Sequence, residues 1–400
     1  MKILVICQHY YPEPFRITDI CEQLVQNGHE VTVVTGLPNY PMGHIYDGYR
    51  KGKKRDECIN GVNVHRCFTI GRRSGAVWRF LNYYSFMLSS TAYTSGLREE
   101  YDVVFVNQLS PVMMAEAGIK YKKKHGTKLV LYCLDLWPES LAVGGIKKGS
   151  FIFNIFHKIS KRIYKSADKI LVTSTLFIEY LNKQFGIKKE DIEYLPQYSE
   201  NIFSADTCQK NKDEYTDFMF AGNVGAGQSV DTIVKAAALT KENKYIRWHI
   251  VGDGSELENC KRLAESLGAD NVIFHGRKPV EAMPEYYAMA DVMLVTMLDD
   301  PVISLTLPGK VQTYMAAGKP ILAASGGEIE NIIGDTKCGI CCPPKDAKAL
   351  ADAATMLSES DKLEYYGENA LMYNTENFSR EKFFEFLESE FGFSLEAAVL

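Results

Sequence analysis

The sequence predicts an α/β chain made of two doubly wound, largely parallel sheets. Three observations predict it. Short apolar, β-branched runs alternate with helical stretches in both halves of the chain, the order expected when helices cover both faces of a parallel sheet. A polar stretch without any apolar pattern, Ser199–Thr216, separates the two halves. A length of 400 residues, 46% of them hydrophobic, is enough for two cores.

The elements of the first half follow in order. Lys2–Cys7 reads as a buried strand that ends in the loop Gln8–Pro14. Asp19–Asn27 has helical periodicity and stops at Gly28. Glu30–Thr35 and Val62–Phe68 read as strands, and Trp78–Leu97 as a long helix. Val103–Asn107, Lys128–Leu134 and Lys169–Thr173 are further strands with helical runs between them. The alternation restarts in the second half, with strands at Phe218–Ala221, Arg247–Val251, Asn271–His275, Val292–Thr296 and Pro320–Ala324. The Phe-rich stretch Arg380–Phe391 reads as a final helix that docks back on the first domain. The predicted boundaries are therefore a first domain over 1–198, a linker over 199–216, a second domain over 217–377 and a returning C-terminal helix within 378–400. Two such sheets facing each other leave a cleft at the C-terminal ends of their strands, where ligands bind in this class of sheet.

Charge is divided unevenly. Residues 1–200 carry 27 Lys and Arg against 19 Asp and Glu, a net of +8, whereas residues 201–400 carry 18 against 31, a net of −13. Basic clusters at Lys51–Arg55, Arg72–Arg73, Lys120–Lys124 and Lys158–Lys169 suggest that the first half faces an anionic surface, nucleic acid or membrane, while a solvated helix face accounts for each cluster singly. The aromatic stretch Val77–Tyr93 follows Arg72 and Arg73. It suits a core helix and an interfacial helix equally. No run of 18 apolar residues occurs, and Met1–Tyr10 reads as a strand rather than a leader. The ten cysteines are scattered and fit reduced core thiols better than zinc ligands or disulfides.

The most informative stretch is Thr306–Ser325, TLPGKVQTYMAAGKPILAAS. Pro308-Gly309 leads into a helical run with Lys310 at its start, and Gly318-Lys319-Pro320 ends that run before a strand. A helix N-terminus offers unpaired N–H groups and positive potential, and a lysine beside it makes a seat for a diphosphate. Earlier in the same half, Phe218–Gly227 reads FMFAGNVGAG, a strand followed by a glycine-rich turn whose backbone can approach phosphate oxygens. Gly252-Asp253-Gly254 ends the next strand, and Phe274-His275-Gly276-Arg277 another.

In this order the motifs resemble the C-terminal domain of glycosyltransferase family 4, a retaining family of the GT-B fold. Tyr314-Met315-Ala316-Ala317-Gly318-Lys319-Pro320 matches its E-A-M-A-x-G-K-P helix. The first half carries the same likeness in Tyr11-Pro12-Glu13, in Gly28-His29-Glu30-Val31-Thr32-Val33, in Asn39-Tyr40-Pro41 and most specifically in Asp135-Leu136-Trp137-Pro138-Glu139-Ser140. These resemble bacterial fucosamine-type amino-sugar transferases of surface-polysaccharide assembly, over about residues 1–390.

The resemblance implies two Rossmann-like domains facing across a cleft and transfer of a sugar, perhaps N-acetylated, from a UDP-linked donor to a lipid-linked saccharide in capsule, O-antigen or exopolysaccharide synthesis. It places the donor on Gly222, Asn223, Gly225, Gly252, Arg277, Leu307, Gly309, Lys310 and Thr313. Arg277 would border the base and Thr313 a ribose hydroxyl. Asp135, Glu139 and Lys310 are the candidate catalytic residues, with Glu13 and Arg16 on the acceptor side. Asp135 admits two readings: a carboxylate orienting the acceptor or donor sugar, or a cap on the following turn with Trp137 in the core. Arg16 reads as a surface arginine or as a phosphate or acceptor contact. The implied chemistry is front-side attack with the leaving phosphate accepting the acceptor proton. No cofactor and no metal are implied, since there is no Asp-x-Asp in a suitable loop and Asp299-Asp300 reads as a loop feature. The implied partners are the UDP-sugar, the lipid-linked acceptor and, through the basic first domain, the inner face of the cell membrane from the cytoplasmic side, with no nucleic acid.

The chain departs from the family pattern at four places. The Glu-x7-Glu pair is replaced by Leu305 and Thr313, and the Arg and Lys of the glycine-rich loop by Asn223 and Gln228. Lys310 is the substitute cation. The missing glutamates keep a non-catalytic scaffold of the same fold as the alternative. A nicotinamide-dependent oxidoreductase lacks G-x-G-x-x-G after any early strand, nucleic-acid binding lacks a recognition motif, and no metalloprotease, nucleophile-elbow or P-loop motif is present.

Overall fold

The computed structural model describes residues 1–143, 145–210 and 213–393. The chain divides into two compact units, one formed by 1–195 with 384–400 and the other by 196–383.

The first unit holds an eight-stranded sheet: β1 (Lys2–Ile6), β2 (Glu30–Gly36), β3 (Asp56–Ile59), β4 (Val62–Cys67), β5 (Val103–Gln108), β6 (Lys128–Cys133), β7 (Lys169–Val172) and β8 (Ile192–Tyr194). Their order is β3-β4-β2-β1-β5-β6-β7-β8. Every pairing is parallel except β3 with β4, an antiparallel hairpin turned at Asn60-Gly61. Its helices are α1 (Ile17–Gln26), α2 (Ala76–Gly96), α3 (Glu116–His125), α4 (Glu139–Val143), α5 (Phe151–Tyr164) and α6 (Thr175–Phe185). The central strands β1, β5 and β6 are buried apart from Lys2 and Lys128 at their starts, and their middles are apolar, as burial on both faces requires.

The second unit holds six parallel strands: β9 (Thr216–Ala221), β10 (Ile246–Val251), β11 (Val272–Gly276), β12 (Val292–Thr296), β13 (Ile321–Ala324) and β14 (Gly339–Cys342), in the order β11-β10-β9-β12-β13-β14. Between and after them run α7 (Val230–Leu239), α8 (Leu257–Leu267), α9 (Met283–Met289), α10 (Gly309–Ala316), α11 (Glu328–Thr336), α12 (Ala347–Ser358) and α13 (Leu363–Asn377). In each sheet the strand order reverses beside the first strand, between β1 and β5 and between β9 and β12. The loops after β1 and β9 therefore open at the point where such sheets take ligands.

The polar stretch over 199–216 is tied to the second unit over much of its length. Phe203 stacks on Tyr287 with centroids 4.9 Å apart, Cys208 is buried, and Lys210 pairs with Asp217 and Asp291 at 2.7 and 2.6 Å. Its last residue already belongs to β9. The final helix α14 (Arg380–Phe391) contributes Glu388, which accepts from Asn27 and contacts His29 at 3.1 Å. Its Phe391 meets Phe105 edge to face. All ten cysteines are unpaired, and no group of metal-ligating side chains occurs among the described residues.

Candidate functional site

In the second unit the site grows from the end of β9. Gly222 donates to the Val251 carbonyl, and Val224 to that of Asp253, so the glycine-rich loop is stitched to the end of β10. Gly252 sits at φ +145°, and a Cβ there would lie 1.8 Å from the Gly222 carbonyl oxygen. Only glycine allows the two strand ends to come this close. The Tyr314 hydroxyl donates to the carbonyl of Ala221 from inside the core and fixes the strand end from below.

Lys310 enters this corner from the first turn of α10, whose N-cap residue Pro308 supplies no side-chain cap. Its ammonium lies 3.7 Å from the centroid of the Phe220 ring, donates to Gln228 Oε1 at 2.8 Å and comes within 3.1 Å of the point where a Cβ on Gly222 would project. No carboxylate pairs with it among the described residues, and loss of hydration pushes its pKa down to about 7. A cation held out of water without an anion is a site prepared for one.

Gly222, Asn223, Gly225, Gly309 and Lys310 thus surround one corner, and Gly252 supports it from behind. Three other expected donor residues stand differently. Leu307 is buried in the core and can offer only its backbone. Thr313 is also buried. Its hydroxyl donates to the Lys310 carbonyl at 2.9 Å and meets the Tyr287 hydroxyl at 3.2 Å, so it tightens the helix rather than facing the loop. Arg277 is exposed after β11, on a cavity of about 630 Å³ that it shares with Lys278, Pro279, Val280 and Met283. Sequence reasoning did not find the pairing of Gln228 with Lys310 or the seat on Phe220. Gln228 stands where the family has a cation, and that departure was the available signal.

In the first unit the Tyr-Pro-Glu and Asn-Tyr-Pro motifs bind each other. Buried Glu13 accepts the backbone N–H groups of Asn39 and Tyr40 at 2.7 and 2.6 Å through one oxygen, and meets His9 Nδ1 at 3.0 Å through the other. His9 stacks on Phe15 with centroids 4.7 Å apart. Both Tyr-Pro bonds are cis. Glu13 is a tie between loops rather than an open acceptor-side carboxylate. Arg16 is half-buried at the N-cap position of α1.

Asp135, at the end of β6, accepts from the hydroxyls of Ser110 and Ser140, and burial pushes its carboxyl upward. Trp137 is buried and donates from Nε1 to Ser110 Oγ at 2.9 Å. Glu139 accepts from the Tyr180 hydroxyl and pairs with Lys148 at 3.1 Å. The two carboxylates keep separate partners: Asp135 spans the turn between β6 and α4 through Ser140, and Glu139 ties the start of α4 to Tyr180 of α6 and to Lys148. Asp135, Glu139, Glu13 and Arg16 lie in the first unit, and Lys310 with the other donor-side residues in the second.

Comparison with known proteins gives the same picture. Residues 16–197 match the family described as Glycosyltransferase Family 4, and residues 205–371 match Glycosyl transferases group 1. The chain is 32% identical over 247 residues to a probable glycosyltransferase, WbjE, of Pseudomonas aeruginosa. That match covers 59% of this chain and 61% of the relative, less than two thirds of its length. It is 24% identical over 375 residues to the putative colanic acid biosynthesis glycosyl transferase WcaI of Escherichia coli K12, covering 88% and 90%. Among solved structures it is similar to a sucrose-phosphate synthase from Thermosynechococcus elongatus (TM-score 0.74, 17% identity, 98% of both chains). It is also similar to HepE of Anabaena in complex with UDP (TM-score 0.71, 13% identity, 98% of this chain and all of that one). Both likenesses establish the fold: two Rossmann-like domains of the GT-B type.

Proposed function

The chain belongs to the glycosyltransferases, family 4 in its first half and group 1 in its second, and on that premise we propose that it moves a sugar from a UDP-linked donor to a lipid-linked saccharide. The product would be a surface polysaccharide such as a capsule, O-antigen or exopolysaccharide. The observation that carries the donor side is Lys310: a cation without an anion, beside a helix N-terminus and a glycine-rich strand end. Similar proteins support a UDP-linked donor and polysaccharide synthesis, since HepE is solved with UDP and with UDP-glucose and WcaI is named for colanic acid synthesis.

In this reading the diphosphate lies against Gly222–Gly225 and the first N–H groups of α10. The acceptor hydroxyl forms its bond to the anomeric carbon on the face the phosphate leaves. The bond from that carbon to the phosphate oxygen breaks, and the acceptor proton passes to the departing phosphate. Configuration is retained. Lys310 and the helix terminus stabilise the charge that develops on the leaving group, so the reading calls for no metal and no cofactor. The base and ribose then fall toward the Arg277 cavity.

Membrane contact has its own support. α2 buries Asn82, Tyr83, Phe86, Ser90 and Thr94, while Val77, Leu81, Tyr84 and Leu88 lie exposed at helical spacing. On α5, Phe151 is 80% exposed and Ile152 and Ile155 are also exposed. Apolar faces of this kind, with Lys51, Lys53, Lys54, Arg72 and Arg73 in the same unit, suit the cytoplasmic side of an anionic membrane. No helix among the described residues is long and apolar enough to cross one.

A thermal-shift screen of UDP-, GDP- and dTDP-sugars tests the proposal. A UDP-sugar should raise the unfolding temperature, and Lys310→Ala should abolish that rise. If no sugar nucleotide shifts the chain, the non-catalytic scaffold suggested by Leu305 and Thr313 is the better account.

A further inference from the structure

The loop after β1 opens where the strand order of the first sheet reverses, and His9 stands near its start. Its side chain is only 3% exposed. Nδ1 lies 3.0 Å from Glu13 Oε2. The other oxygen of Glu13 accepts the backbone N–H groups of Asn39 and Tyr40. The carboxylate is therefore an acceptor through both oxygens, and Nδ1 carries the hydrogen. A hydrogen bond at one ring nitrogen fixes the state of the other. Here it leaves a bare lone pair on Nε2. That nitrogen has no hydrogen-bond partner among the described residues. Unlike the hydroxyl of neighbouring Tyr10, it is not cut off from solvent. Most polar groups this deep in a protein are paired.

The ring is held in place by aromatic neighbours. Phe15 stacks on it with centroids 4.7 Å apart and planes 12° from parallel. Tyr40 packs at 5.9 Å from His9 and at 5.3 Å from Phe15. Tyr40 itself is 39% exposed. Turning the imidazole over would break the Glu13 bond. One fixed polar atom among aromatic side chains, at a place where such sheets take ligands, is the make-up of a small-molecule contact.

We propose that His9 is a substrate contact: its Nε2 accepts a hydrogen bond from a hydroxyl of the acceptor sugar, whose ring lies against Tyr40. Glu13 is then the positioning residue that orients the imidazole. The inference rests on the sugar-transfer reading and names a group that holds the acceptor. A hydroxyl fits because it donates a hydrogen without bringing a charge among buried rings. The attacking hydroxyl passes its proton to the leaving phosphate, so the one on His9 is a neighbouring hydroxyl of the same sugar. Glu13, expected on the acceptor side, serves that side only through His9.

The test titrates methyl glucoside, methyl galactoside and methyl N-acetylglucosaminide into the full chain with its histidine nitrogens isotope-labelled. In the free chain His9 should show a hydrogen on Nδ1 and none on Nε2, and at least one glycoside should move the Nε2 signal. Two variants separate contact from packing. His9→Asn keeps a donor for Glu13 and has nothing at the Nε2 position. His9→Gln reaches that position with an amide oxygen and gives up the Glu13 bond. Glycoside affinity should fall about tenfold in His9→Asn and less in His9→Gln. Thermal unfolding should rank the two the other way, with His9→Asn the more stable. The same rank in both measurements would overturn the inference and leave His9 a packed core residue. So would a hydrogen on Nε2, or a set of glycosides none of which moves its signal. No sugar nucleotide enters this measurement, so its failure is distinct from failure of the donor reading, which the thermal-shift screen decides.

Discussion

Lys310 is the residue on which the donor site turns, and its chemistry makes a signed prediction. Its pKa in the free chain is pushed down to about 7 because it is half-buried and partly stripped of water without an anion beside it. A docked diphosphate restores the charged form and raises the pKa toward its ordinary value. Between those two values the complex holds more protons on Lys310 than the free chain does. UDP binding at pH 8 should therefore take up protons, and affinity should fall about tenfold per pH unit above pH 7. Calorimetry in buffers of different ionisation enthalpy reads the uptake, and Lys310→Met should remove it. Uptake that persists in Lys310→Met would assign the proton to another group. Lys310 was legible in the sequence because Pro-Gly-Lys before a helical run is a local signal. Its partner Gln228 was not, because 82 residues separate the two. Asp135 and Glu139 carried a specific motif that includes the Asp135 partner Ser140, but Ser110, Tyr180 and Lys148 lie outside it, and only the fold brings them to these carboxylates.

At the scale of elements, the strand ends do the positioning. The Gly-Asp-Gly motif resembled a ligand-binding signature, and the structure gives Gly252 a steric task at the meeting of β9 and β10. Gly252→Ala should lower stability by about 1–3 kcal/mol or more and abolish the UDP-sugar shift. Gly225→Ala should be milder, since its Cβ meets only the side chain of Asn223. Equal effects in thermal unfolding would contradict this division. Long apolar strands such as β5, β6 and β12 could be read from the sequence, because burial on both faces leaves an unbroken run. β3, β8 and β14 escaped. They are three or four residues long, and at sheet edges the half-exposed patterns of Asp56–Ile59 and Gly339–Cys342 do not stand out from loops. The Asn60-Gly61 turn between β3 and β4 was a hairpin signal in plain view.

For the molecule as a whole, the uneven charge seen in the sequence falls largely on different units. The first unit carries the basic excess and the exposed apolar residues Val77, Leu81, Tyr84 and Leu88 of α2. Reversing the charges of Lys51, Lys53, Lys54, Arg72 and Arg73 should reduce co-sedimentation with anionic vesicles, at about 1 kcal/mol per basic residue near the surface. Unchanged pelleting would remove the membrane from the account. The direct measurement of the central claim is a crystal structure with a bound UDP-sugar. The diphosphate should lie within hydrogen-bond reach of Lys310 Nζ and of the Gly309 and Lys310 N–H groups, with the lysine drawn away from Gln228. Density for the diphosphate elsewhere, with the Lys310–Gln228 contact intact, would contradict it.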